Sequence, residues 1–164
     1  MCDYCDCRAQ PEIQALSNEH ERILEVVGKL RRNEGETADR LDQSLDALAE
    51  LLGTHTAREE AGIFSRLRSA QIDDGYLDRF ENDHTLIDQT LVAAKADHRR
   101  IEALLVIVTN HILHEETDMY PAARQILGPA DWEQIDRAVA SLTIGGGSRG
   151  LPVTASQRTR ASTP

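Results

Sequence analysis

The sequence predicts an all-α protein: an antiparallel up-down-up-down four-helix bundle with a short extra C-terminal helix. Three observations carry this. Four long segments repeat apolar residues at the helical period. Aromatic residues make up only 4% of the 164-residue chain, which favours a Leu/Ile/Val/Ala core over a β-sandwich. Gly and Pro, which punctuate strands and turns, are sparse before residue 144.

The first segment runs from about Pro11 to Arg32, with Ile13, Leu16, His20, Ile23, Val27 and Leu30 facing inward. Pro11 suits a first helical turn, because its fixed φ is already helical. The second runs from about Thr37 to Ser69 and turns Leu41, Leu45, Leu48, Leu52, His55, Glu59 and Ile63 inward. "DDG" at Asp73 to Gly75 breaks it. The third, about Tyr76 to Ala96, offers Phe80, His84, Ile87, Leu91 and Ala94. The fourth, about Asp97 to Leu127, offers Ile101, Leu104, Val108, His111, Glu115 and Met119, with Pro121 kinking or capping its end. A fifth, short helix from Asp131 to Leu142 takes Asp131 as its N-cap and Trp132, Ile135 and Val139 as its apolar stripe. These elements divide the chain into a cysteine-containing segment at 1–10, a bundle at 11–143 and a disordered Gly/Ser/Thr-rich tail at 144–164.

Composition narrows the function. A net charge of −10 argues against phosphate-backbone binding, so no nucleic-acid partner is expected. No apolar run reaches the roughly 18–20 residues that span a bilayer, so no membrane partner is expected either. "MCDYCDCR" is not an apolar signal segment, and a cytoplasmic location is the expectation. Cys2, Cys5 and Cys7 are odd in number and tightly spaced, which does not suit a disulfide framework. Three thiols so close could bind a soft metal or exchange disulfides.

Two stretches echo each other. "HTAREEAGIF" starts at His55 and "HILHEETDMYP" at His111; each reads His, three residues, Glu-Glu, then an apolar pair ending in an aromatic. A helix advances about 100° per residue, so Glu59 lies about 40° from His55 on the same face, and Glu60 about 140° away. The same phase selects Glu115 over Glu116 as the partner of His111. Glu60 and Glu116 are expected on solvated faces, with Glu116 the better spare ligand. The other two segments each add one core-facing histidine, His20 in "NEHERI" and His84 in "NDHTLI". His98 falls at the third turn and His114 at the layer's edge, and neither is expected as a ligand. In antiparallel register the four histidines and two glutamates meet in one layer. Two carboxylates and four imidazoles cannot share an apolar core as a bare cluster. A pair of metal ions resolves the conflict, since imidazole suits Fe, Zn and Cu and carboxylates bridge two cations readily.

The pattern H…HxxxEE…H…HxxxEE…YP resembles the hemerythrin-like (HHE cation-binding) family over about Ile13 to Pro121. The resemblance implies a non-haem di-iron centre held by His20, His55, Glu59, His84, His111 and Glu115, with the two glutamates bridging; Zn or Mn could substitute. Oxygen-carrying members place a second histidine four residues after the third-helix histidine, where this chain has Asp88. They also space the fourth-helix carboxylate one residue further from its histidine. Four His and two Glu look more like the bacterial branch that repairs iron centres or responds to NO, O2 or iron, in oxidative or nitrosative stress. That implies small diatomic or peroxide ligands and a redox or iron–sulphur protein partner. Asp88 is then an extra ligand, a hydrogen-bond acceptor behind an imidazole, or a surface residue. Two rival readings stay open: a reversible O2 or iron binding and storage module without turnover, and a bundle in which a metal such as Zn only stabilises the fold.

Overall fold

The computed structural model describes residues 9–32 and 37–145. The expectations for Cys2, Cys5, Cys7 and for most of the C-terminal tail lie outside those residues.

The described residues are helical, with no strand among them. α1 spans Pro11–Arg31. α2 (Ala38–Glu59) runs on through a π turn (Glu60–Phe64) into α3 (Ser65–Ser69). α4 spans Asp74–Ala96. A 3₁₀ turn (His98–Arg100) then leads into α5 (Ile101–His114), a second π turn (Glu115–Met119) and α6 (Tyr120–Ile126). α7 spans Pro129–Gly145. The four expected long segments are thus four rods, two of them widened by a π turn.

Local chemistry explains the ends, and corrects some of the expected ones. Pro11 opens α1, Glu12 sits in its first turn, and Lys29 and Arg31 in its last, each charge matching the helix dipole. The break after α3 falls at Gln71, whose φ of 61° is left-handed, and not at Gly75. Gly75 lies inside the first turn of α4, donating its N–H to the capping carboxylate of Asp73. Between α4 and the 3₁₀ turn, where no Gly or Pro stands, Asp97 is extended and accepts from the Arg99 N–H. Pro121 does not end its helix, which continues to Ile126. The π turn just before it already departs from the i→i−4 ladder, where a missing N–H costs least. Asp131 is not an N-cap: α7 starts at Pro129, and the Asp131 carboxylate instead accepts from the Gly128 N–H. α7 also reaches Gly145, past the expected tail boundary.

α1 packs on α2 and α5, and α4 packs on the same two, so the rods close into a ring. Inside are two apolar clusters. One is aliphatic, built from residues such as Ile23, Leu48, Leu52, Ile87, Leu104 and Val108. The other carries the rings of Phe64, Phe80, Tyr120 and Trp132 beside Ile13 and Leu16. Burial of each such side chain contributes about 1.5–3 kcal/mol. α7 seals the second cluster only. Its Ile135 and Val139 lie on Gly62 so closely that a Cβ there would stand 3.2 Å from Ile135 Cγ2. An ion pair between Arg66 and Asp131 (2.6 Å) closes that edge.

No described helix is long and apolar enough to cross a membrane.

Candidate metal centre

Along each rod, the histidine and glutamate positions fall between the residues of the two apolar clusters. The buried polar side chains include His20, His55, Glu59, His84, His111 and Glu115, all 6% exposed or less. They form two groups of four, and within each group one donor atom per residue lies within 4.8 Å of the others. The first is His20, His55, Glu59 and Glu115; the second is Glu59, His84, His111 and Glu115. The two glutamates belong to both. The six side chains singled out in the sequence therefore meet in one layer.

The Nε2 atoms point inward. His20 Nε2 stands 3.1 Å from Glu115 Oε2 and 2.9 Å from His55 Nε2. His111 Nε2 lies 2.9 Å from Glu115 Oε1, and His55 Nε2 and His84 Nε2 each 3.4 Å from Glu59 Oε2. The Nδ1 atoms point outward, each towards a carboxylate. His20 Nδ1 is 3.0 Å from Glu116 Oε1, His55 Nδ1 3.0 Å from Glu19 Oε2 and His84 Nδ1 3.0 Å from Glu60 Oε1. His111 Nδ1 is 3.6 Å from Asp83 Oδ2.

This geometry fits cations better than hydrogen bonds. A carboxylate can only accept, so the facing Nδ1 carries the proton, and Nε2 of a neutral ring presents a lone pair. Lone pairs then meet lone pairs across 2.9 Å between His20 and His55. Glu59 Oε2, both Glu115 oxygens and the Nε2 atoms of His84 and His111 have no hydrogen-bond partner among the described residues. Buried orphans of this number are costly unless a positive charge sits among them.

Without a metal, protons take that role. Burial pulls the His55 imidazole down, but Glu59, Glu115 and Glu19 outweigh it and push it up to about 10. Burial likewise opposes, and Glu115, Glu59 and Glu60 together raise, His84 to about 11. His20 is raised by Glu115 and Glu116 against the pull of burial and of His55. Glu115 is held well below the usual carboxylate range: burial opposes this, and His111, His20 and His55 prevail. Ions and protons compete for the same atoms.

Two rings close the layer. Phe64 stacks on His84 at 5.5 Å between centroids, and Tyr120 on His20 at 5.6 Å. In an ordinary α-helix Phe64 would lie about 140° round from Glu59. The π turn brings both to the buried face, and the second π turn does the same for Tyr120 and Glu115. Tyr120 also donates its hydroxyl to Glu59 Oε1 at 2.8 Å. Burial first, then Glu59 and Glu115, hold that phenol well above its ordinary value.

The Hemerythrin HHE cation binding domain model matches residues 12–123. The chain belongs to the hemerythrin family. No curated protein and no solved structure gives a significant match. Within the hemerythrin domain, the buried His/Glu groups are suited to a metal centre, and the family's metal is iron.

The residues behind the layer were less legible. Glu116 is not on a solvated face: it is buried and holds His20. Glu60 is half exposed, as expected, yet its carboxylate still reaches His84. A carboxylate 140° round from the inward face points along the seam to the next helix, where that helix's histidine stands. Asp88 is exposed, so the readings as extra ligand or acceptor behind an imidazole fall away. Glu19 and Asp83 were missed. The signal was present, for an acidic residue precedes each lone histidine, in "EH" and "DH", as a second glutamate follows each HxxxE. His114 is exposed, and His98 pairs at the third turn with Asp42 at 2.8 Å.

Proposed function

We propose that this chain holds a non-haem di-iron centre and uses it to handle or sense O2, NO or peroxide, or to repair iron centres. The observation that carries the reading is the pair of four-residue groups sharing Glu59 and Glu115. His20 and His55 would hold one ion and His84 and His111 the other, with Glu59 and Glu115 available to both. Six protein ligands leave positions open on two irons, and that openness supplies redox chemistry with a small molecule. The branch is read from the four-His, two-Glu set with Asp88 outside it. We read the ring of rods as an up-down-up-down bundle over 11–143, in a cytoplasmic protein.

The chain's own residues prepare the site. Glu116, Glu19 and Glu60 hold three rings with Nδ1–H outward and Nε2 free. Phe64, Phe80 and Met119 exclude water from one side, and Leu52 and Val108 from the other. Tyr120 donates a hydrogen bond to Glu59 Oε1 and fixes that carboxylate.

Iron quantitation, with an optical spectrum during anaerobic titration with NO, O2 and peroxide, tests this. Two irons per chain, with fast oxidation or peroxide turnover, support the redox role. A reversible oxy spectrum supports the alternative, O2 or iron binding and storage without turnover. One Zn and no Fe per chain would leave a purely structural metal.

A further inference from the structure

The ligands are duplicated, but their support is not. On the His20/His55 side, Glu116 is buried against His20 Nδ1. Glu19 Oε2 accepts from His55 Nδ1, while its Oε1 accepts from Arg58 Nη1 at 2.7 Å. Arg58 in turn grips the buried Glu12 with two parallel hydrogen bonds of 2.7 and 2.8 Å. A chain of charge-assisted contacts thus runs Glu12–Arg58–Glu19–His55.

Among the described residues, that chain has no counterpart on the His84/His111 side. Glu60 is 50% exposed, so water competes for its contact with His84. Asp83 stands 3.6 Å from His111 Nδ1, beyond hydrogen-bond reach, and that nitrogen has no hydrogen-bond partner among the described residues. Arg58 follows His55 by three residues; the residue three after His111 is His114, which is exposed.

We infer that the two metal positions are unequal: the His20/His55 position retains its ion, and the His84/His111 position exchanges a divalent cation. Arg58 is the positioning residue that makes the difference. Its guanidinium holds Glu12 and Glu19, and it acts by fixing Glu19, which orients the His55 ring. Carboxylates behind metal-bound histidines change metal affinity by about 10–100-fold, so unequal support of this kind separates two otherwise matched positions. The inference rests on the di-iron reading.

The experiment loads the full chain anaerobically with Fe(II), removes the excess and counts iron. A chromogenic Fe(II) chelator is then added and release is followed. Two irons at the start and two phases of equal amplitude, at least about tenfold apart in rate, are expected. Arg58→Met should speed the slow phase by about 10–100-fold and leave the fast phase alone. Arg58→Lys keeps the charge but not the two-pronged grip, and should restore only part of the retention. Asp83→Asn should leave the slow phase alone and change the fast phase little, because Asp83 stands 3.6 Å from His111 Nδ1. Should Arg58→Met fail to fold, as judged by its helical circular dichroism, Glu12→Gln loosens the same clamp from its outer end and should speed the slow phase less. A single phase from a chain holding two irons overturns the inference, as does an Arg58 variant that acts on the fast phase. Fewer than two irons at the start strikes the di-iron reading itself, and the inference falls with it.

Discussion

Set the half from α1 to α3 beside the half from α4 to α6. His20 corresponds to His84, His55 to His111, Glu59 to Glu115 and Phe64 to Tyr120. The match extends to the core, where Ile23 corresponds to Ile87 and Leu48 to Leu104, all buried. It extends outward too, since Glu19 and Asp83 face His55 and His111 within their own halves, while Glu60 and Glu116 cross to the other. Then the halves part. Tyr120 carries a hydroxyl that Phe64 lacks, and it binds Glu59. Gly62 lets α7 lie against the first π turn; its counterpart, Asp118, instead pairs with Arg79 at 2.7 Å. The His and Glu positions of the layer are kept in both copies, and the copies diverge in what surrounds them: Tyr120 against Phe64, Asp118 against Gly62, and a buried Glu116 against a half-exposed Glu60. The difference teaches that a matched ligand set fixes what can bind, while the surrounding residues fix how each half holds it.

The largest break in the comparison comes from removing what both halves share. Glu59→Ala or Glu115→Ala should cost at least one of the two irons, because each carboxylate serves both groups; metal analysis of the purified variants checks this. Next come the crossing carboxylates. Glu116→Gln should weaken iron binding by about 10–100-fold, and the exposed Glu60→Gln by less, as measured by competition with a chelator. Equal losses would erase the contrast between a buried and an exposed support.

Proton competition acts on both halves together. In the metal-free chain His55 and His84 keep their protons to about pH 10 and 11. An unfolded imidazole loses its proton near pH ~6.5. Groups raised in this way contribute stability that is complete below the unfolded value and lost as pH rises through the folded one. Melting temperatures of the metal-free chain should therefore fall between about pH 7 and 10 as this contribution fades. Iron affinity should rise over the same window, since fewer protons must be displaced. Affinity that falls with rising pH would contradict the arrangement.

Tyr120→Phe makes the halves more alike. It should keep both irons, shift the optical spectrum of the loaded site and cost about 1–3 kcal/mol, because Glu59 Oε1 loses its donor. Asp88→Ala should do least, leaving iron content and spectrum unchanged, because Asp88 is exposed. A lost iron there would return Asp88 to the site.

Much of this was legible in the sequence, for a physical reason. A helix has a fixed phase, so apolar residues and the HxxxE pairs at His55 and His111 report directly which face is buried. Phase says nothing of what stands opposite. Glu116 and Glu60 have the same phase, yet one is buried by α1 and the other half exposed beside α4. The π turns left no residue-level mark; they bring Phe64 against His84 and Tyr120 against His20. Pro121 reads locally as a stop and is tolerated only because of the turn before it. Arg58 reads as a surface cation until Glu12 and Glu19 are seen on the neighbouring helix.

The proposed centre depends on two ions sharing Glu59 and Glu115. A crystal structure of the iron-loaded chain, with anomalous data collected at the iron edge, tests it most directly. Two peaks about 3.5–4 Å apart are expected, one beside His20 and His55 and the other beside His84 and His111. A single peak in the layer, or none between the two glutamates, would contradict it.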